Sequence, residues 1–262
     1  MASNFDVTAA TFDRYRDLPK DAPETIRKKI SDAVGSRSLA RVLDLGAGTG
    51  RIGKAFVQAG DCYVGADLSL PMLREFRARS AAASLVQADG QRLPFRDGTF
   101  TVVLLMQVLS GAHDWRSLLC EVMRVLAPAG AVVVGHTTAP STGVDAQLKR
   151  QLGVVLEQMG ITSHRPNKSR SESLSWLETR AARWNNMAAA AWTAERTPRE
   201  FLARHRTGAR FAALPVAVQE EALVKLTAWA EETFGSLDAV FFEERGFALD
   251  IFEFVNQPGP AR

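Results

Sequence analysis

The stretch Val42-Leu-Asp-Leu-Gly-Ala-Gly-Thr-Gly50 runs an apolar, strand-like segment into three alternating glycines. Glycine there lets the chain bend sharply and lets a ligand approach the backbone with no Cβ in the way. A helix pattern follows, so the bend also exposes amides that suit an anionic group. Two carboxylates come next at strand ends. Asp67 lies 17 residues after Gly50 and can accept two hydrogen bonds from a ribose diol. Asp89, followed by Gly90, can accept from an adenine amino group. Met106 and Gln107 close a further apolar run opposite the glycine bend. The set describes a groove for a nucleoside-bearing cofactor.

A rival register exists. Gly48-Thr-Gly-Arg-Ile-Gly53 matches the G-x-G-x-x-G of dinucleotide binders. That fingerprint should begin where the strand ends, at Gly46, and would then need glycine at position 51, where Arg51 stands. Asp44, inside the strand end, is also unexpected beside a pyrophosphate.

These residues need a scaffold that brings strand ends together. ARVLDLG, CYVGAD, SLVQAD, FTVVLLMQ and AVVVGHT are short Val- and Leu-rich runs without a polar alternate face, as expected of strands buried on both sides. Helix signals separate them. Ser69 can cap a helix with Pro71 in its first turn, and Asp114 can cap DWRSLLCEVMRVLAPAG, which Pro128 and Gly130 should stop. The alternation predicts an α/β fold, a doubly wound, mostly parallel sheet with ligands at its carboxyl ends. After Thr138 the pattern turns helical: VDAQLKRQLGVVLEQMG, SESLSWLETR, TPREFLARHRTGARFAAL with a Thr197/Glu200 capping box, and VAVQEEALVKLTAWAEETFG. MAAAAWTAERT reads as a weak strand between them. FALDIFEFV reads as a less buried, antiparallel strand near an edge.

Of the 262 residues, 46% are hydrophobic and 23% charged, the composition of an ordinary globular protein with a full core. No apolar run reaches membrane-spanning length, and the N-terminus does not read as a signal peptide, so a cytoplasmic location is expected. Cys62 and Cys120 have no metal-ligand spacing, and Cys120 reads as a buried reduced thiol; no metal is expected. Net charge is +3 but uneven: residues 161–213 carry +6 and residues 214–257 carry −7. Mutual neutralisation is the ordinary explanation, a basic surface for an anionic substrate or RNA the sharper one.

Residues 41–136 resemble the class I methyltransferases of the type 11 group. VLDLGAGTGR, VGADLSLPML, VQADGQRLPFRDGTFTVV and LLCEVMRVLAPAGAVVV follow that family in order and spacing. The resemblance implies a seven-stranded Rossmann-like sheet, the last strand antiparallel, with helical cap additions. It implies S-adenosylmethionine as cofactor, held by Gly46, Ala47, Gly48, Gly50, Asp67, Leu68, Met72, Asp89, Gly90, Met106 and Gln107. FDRYR is similar to a segment that folds over the cofactor, which adds Phe12 and Arg16. The expected organisation is a single domain over residues 1–262: a cofactor-covering segment at 1–30, a core at 36–140, and a helical cap with the last two strands at 141–257. Three positions depart from the family. Thr101 replaces an Asp, Ala129 stands where P-G-G is common, and Ser110 sits near a usual histidine.

Methyl transfer is an in-line displacement, so alignment of the nucleophile and exclusion of water are the main demands. A base is needed only where the acceptor must lose a proton. His136, directly after the fifth strand, and His113 are the candidates, although a loop or sheet-edge histidine is the plainer reading of each. Trp176, Trp184, Trp192 and Trp229 can wall a flat or apolar acceptor, or simply fill a core. The acceptor is expected to be a small molecule with an O-, N- or C-nucleophile. Membrane is not an expected partner, for want of a spanning run, and nucleic acid is not, since LMQV replaces the Asn/Asp-Pro-Pro-Tyr/Phe run of base-amine enzymes. RNA methylation and non-catalytic cofactor binding are the alternative readings.

Overall fold

The computed structural model describes residues 18–35, 40–112, 114–161, 166–206 and 214–255, with Asp13 and Phe211 besides. Its strands are β1 (Val42–Leu45), β2 (Tyr63–Asp67), β3 (Ser84–Gln87), β4 (Phe100–Met106), β5 (Leu126–Thr138), β6 (Arg183–Arg196) and β7 (Phe241–Glu253). They form one sheet in the order β3-β2-β1-β4-β5-β7-β6. The pairs β2–β3, β1–β2, β1–β4 and β4–β5 are parallel, with Leu45 opposite Ala66 and Met106 opposite Gly135. β7 runs against both neighbours: Phe254 N–H donates to Gly130 at the start of β5, and Ala182, just before β6, donates to Glu253 at the end of β7. The doubly wound α/β expectation holds, including the antiparallel last strand.

The helices are α1 (Ala22–Val34), α2 (Gly53–Gln58), α3 (Leu70–Arg79), α4 (Trp115–Val125), α5 (Val144–Gln158), α6 (Pro166–Glu178), α7 (Pro198–Arg206) and α8 (Val216–Phe234). Local chemistry starts three of them. Ser69 Oγ accepts from the Met72 amide at 3.3 Å, and Asp114 accepts from the Ser117 amide at 3.0 Å. Thr197 and Glu200 exchange reciprocal bonds of 3.2 and 3.3 Å. Each such cap contributes about 1 kcal/mol.

The chain forms two compact units. The first comprises residues 1–137, 165–190 and 247–262; the second, residues 138–164 and 191–246. In the first unit Leu43, Leu45, Val103, Leu105, Val132 and Val134 pack with Leu118, Leu119 and Val122 of α4 and Leu177 of α6. That cluster anchors the strand ends. In the second unit α5, α7 and α8 share a core built on Leu148, Leu152, Phe201 and Leu226. Asp145, in the first turn of α5, meets Arg204 at 2.6 Å and Arg245 at 2.8 Å. Burial pushes its carboxyl up, but the two guanidiniums outweigh burial and hold it below the usual carboxylate range.

Several sequence expectations change. α4 ends at Val125 and β5 begins at once at Leu126, so Pro128 and Gly130 lie inside the strand rather than stopping the helix. Ala129 there has φ of 56°, which accounts for the glycine common at that place. The weak strand becomes β6, 14 residues long, because pairing with β7 outweighs the poor intrinsic preference of its alanines. β7 lies next to the sheet edge, as expected, but it is not less buried. β6 covers its outer side, and Phe247, Leu249, Asp250, Ile251 and Phe252 are all buried. Asp89 lies two residues beyond the end of β3, held by an isolated bridge to Arg92. Cys120 is exposed, since the buried stripe of α4 runs through 115, 118, 119, 122 and 123 and leaves position 120 outside it.

The charge imbalance is met in part by ion pairs between the two segments. Arg170–Asp250 (3.6 Å), Arg183–Glu253 (3.9 Å) and Arg199–Asp238 (2.6 Å) join them.

Candidate cofactor and acceptor site

The parallel register brings the ends of β1, β2 and β4 together, and the glycine bend leaves β1 between them. Gly46, Gly48 and Gly50 have φ of 78°, 55° and 78°. A Cβ on Gly50 would stand 2.2 Å from the ring of Phe76, so that glycine is required by packing. A Cβ on Gly48 would meet nothing nearer than 3.9 Å. Space is therefore open over Gly48, where a ligand can approach the backbone.

Asp67 ties this bend to the next strand. Its Oδ2 accepts the Gly48 amide and its Oδ1 the Ser69 amide, both at 2.8 Å. The carboxylate is thus fixed in place, half-buried at the tip of β2. A carboxylate oxygen accommodates more than one donor, so hydroxyl groups of a sugar can join. Leu68 is half-buried and its carbonyl accepts from Gln87 at 3.1 Å. Met72, in the first turn of α3, is buried.

Asp44 lies behind the bend, 2% exposed. Tyr63 donates to its Oδ2 at 2.7 Å, while Oδ1 is buried with no partner among the described residues. Burial pushes this carboxyl up to about 7, against the Tyr63 hydrogen bond and with help from the charge of Asp67.

At the next strand tip, Asp89 is half-buried and accepts the Gln91 amide at 2.9 Å. A Cβ on Gly90 would touch Leu118 and Leu45, so this loop lies against the core. Met106 is buried at the end of β4; Gln107, exposed with φ of 63°, donates its backbone amide to Gly135 and its side chain to Thr137. Val108 abuts Gly46, which joins the end of β4 to the glycine bend. His136 falls inside β5 rather than after it, level with Gln107 and half-buried. Glycine bend, Asp67, Asp89, Gln107 and His136 therefore share the carboxyl edge of the sheet.

Phe12, Arg16 and His113 lie outside the described residues. Asp13 is described, and it is a contact the sequence reading did not single out. Its carboxylate accepts from the buried Thr49 hydroxyl at 2.8 and 2.9 Å and from Arg79. Thr49 is the middle residue of Gly-Thr-Gly, and nothing in its type announces a partner 36 positions earlier. Beside it a cavity of about 170 Å³ is lined by Leu18, Pro23, Gly50, Lys54 and Phe76. Tyr63 was also missed, since an apolar run conceals a hydroxyl that satisfies Asp44. Of the tryptophans, Trp176 packs against the core under Arg180, and Trp229 packs edge-on to Phe234. Trp184 is exposed and stacks on Phe252. Among the described residues no His/Cys/Asp/Glu group can hold a metal, and no helix is long and apolar enough to cross a membrane.

The features fit a nucleoside-bearing sulfonium: an open backbone over Gly48, a fixed carboxylate beside it, and an orphaned buried oxygen on Asp44. The comparisons agree. A family model described as a methyltransferase domain matches residues 43–134. A demethylmenaquinone methyltransferase of Streptomyces griseus is 35% identical over 142 residues, covering 54% of this chain and 62% of its own length. The chain thus spans less than two thirds of that relative. Another, from Beutenbergia cavernae, is 30% identical over 185 residues, 70% of this chain and 76% of the relative. The crystal structure of the YcgJ protein of Bacillus subtilis superposes with a TM-score of 0.54 at 19% identity, covering 87% of this chain and 97% of that one. With the fold, the matched segment and the Beutenbergia coverage in agreement, this chain belongs to the class I S-adenosylmethionine-dependent methyltransferases of the type 11 group.

Proposed function

We propose that this protein transfers a methyl group from S-adenosylmethionine to a small-molecule acceptor with an O-, N- or C-nucleophile. The observation that carries the reading is Asp67, locked by the Gly48 and Ser69 amides beside the one glycine of the bend whose Cβ position is open. In this reading Asp67 holds the ribose, Asp89 and Gly90 the adenine edge, and Gly46, Ala47, Gly48 and Gly50 the amino-acid end, with Leu68, Met72, Met106 and Gln107 completing the groove. The cofactor supplies an electrophilic methyl carbon on a sulfonium. The chain's own residues hold that nucleoside, exclude water with the buried ends of β1 and β4, and orient the acceptor.

The relatives named above act on demethylmenaquinone, so that quinone heads the acceptor panel. The test is label transfer from methyl-labelled cofactor across demethylmenaquinone, phenols, amines, carboxylic acids and RNA. It is paired with thermal shifts in S-adenosylhomocysteine and in NAD. Stabilisation by S-adenosylhomocysteine alone, with label on a small acceptor, is the expected result. Stabilisation by NAD instead would overturn the proposal, and so would tight S-adenosylhomocysteine binding with no labelled product.

A further inference from the structure

At the carboxyl edge of the sheet, Arg170 meets His136 and is itself held by a buried carboxylate. Arg170, on α6, places one terminal guanidinium nitrogen 2.8 Å from Nδ1 and 3.0 Å from Nε2 of the His136 ring. A donor that close to both nitrogens cannot sit on either in-plane lone pair without striking the carbon between them. The guanidinium therefore lies off the ring plane, and the lone pair and N–H in that plane are left to face other groups. Arg170 is itself placed by Asp250 of β7, at 3.6 Å. Asp250 is 3% exposed and accepts from Asn186 at 2.7 Å and from the Trp184 indole at 3.4 Å. A buried carboxylate, a half-buried guanidinium and an imidazole at a strand tip form one stack. Sheet core alone does not call for such a stack, because burying charged groups is costly unless they are paired.

We infer that His136 is the proton acceptor of the methyl transfer, and that Arg170 and Asp250 are positioning residues that keep its ring neutral and turned to the acceptor. The inference rests on the proposed methyl transfer and narrows its substrate to acceptors whose nucleophilic atom carries a removable proton. The acceptor's proton passes to the in-plane nitrogen of His136. The electron pair it leaves forms the bond to the methyl carbon, and the carbon–sulfur bond breaks with its pair on sulfur. Imidazolium then returns the proton to water. Arg170 from α6 and Asp250 from β7 are the charged groups facing His136 among the described residues. Burial first, and then Arg170, push its titration down, with Asp250 opposing.

The chain has four histidines, so the His136 ring proton can be assigned by NMR from the signal lost in His136→Gln. Its titration is then followed in the full chain without cofactor or acceptor. The wild type should titrate below the ordinary imidazole range. Arg170→Met should raise the midpoint, Arg170→Lys should keep it low, and Asp250→Asn should lower it further. The acid limb of kcat should move with these midpoints, and His136→Gln should lose about a hundredfold in kcat with S-adenosylhomocysteine affinity retained. Midpoints that ignore both charges overturn the positioning role. Undiminished kcat in His136→Gln overturns the base while methyl transfer itself stands. A wild type that neither binds S-adenosylhomocysteine nor transfers label defeats the broader reading instead, and this one falls with it.

Discussion

Tyr63 donates its hydroxyl to Asp44 across 2.7 Å, the one hydrogen bond that this carboxyl, buried directly behind the glycine bend, receives from a side chain among the described residues. Burial raises the Asp44 titration to about 7 in the fold, against 3.8 in the unfolded chain. A raised carboxyl is stabilising below its unfolded value, and that contribution is lost as pH climbs through 7. Tyr63→Phe leaves both Asp44 oxygens without a donor. It should cost about 1–3 kcal/mol, with a larger loss at pH 8 than at pH 5. Urea denaturation at the two pH values checks this, and equal losses would show that the carboxyl is not the group responding.

Asp67 holds two amides of the chain as well as its proposed sugar. Asp67→Ala should weaken S-adenosylhomocysteine binding about tenfold or more, since a hydrogen bond to a charged group is worth roughly 1.5–3 kcal/mol. It should also lower Tm by a few degrees, because the Gly48 and Ser69 amides lose their acceptor. Calorimetric titration and thermal melting separate the two effects. Unchanged affinity would move the ribose elsewhere.

Gly48 and Gly50 should respond differently to the same methyl group. Gly50→Ala drives its Cβ into Phe76, a clash costing about 1–3 kcal/mol on top of left-handed strain. Gly48→Ala meets open space and carries only the strain of its 55° φ, roughly 1 kcal/mol. The first variant should be the less stable. The second should fold and lose cofactor affinity at least tenfold, since its methyl group fills the approach to the backbone. A Gly48→Ala protein that binds normally would leave the open space without a ligand.

His205 on α7 stacks on Phe201, with ring centroids 3.8 Å apart. Burial, aided by Arg204, lowers its titration to about 4. Its folded value lies below the unfolded one, so the stability it lends is full above about 6.5 and drains away as pH falls toward 4. The loss should be on the order of 2 kcal/mol, allowing for partial solvent access. His205→Phe should flatten that part of the acid side of the Tm curve, read by circular dichroism from pH 7 to 4.5. A variant curve parallel to the wild type would exclude His205 as the source.

Much of the site was legible because strand-ending motifs are local. The run into Gly46, the Ser69 cap after Asp67, and the buried pattern of FTVVLLM are dictated by neighbours within a few residues. β6 was the hardest element to read. Its alanines carry little preference of their own, and its length is set by hydrogen bonds to β7 some 60 residues later. Cys120 was misplaced for a subtler reason: a 100° step around α4 decides its exposure, and an apolar run does not show where the stripe's edge falls.

By itself, then, the order of residues settled the class of fold, the caps, the glycine bend and the carboxylate at the tip of β2, since each depends on contacts a short distance along the chain. Tertiary structure alone decided that Tyr63 satisfies Asp44, that Asp13 reaches Thr49, and that Arg170 and Asp250 gather around His136. Those partners stand between 19 and 114 positions apart in the chain. Only sheet register and helix packing bring such groups within hydrogen-bonding reach, and no local pattern encodes a distance across the fold.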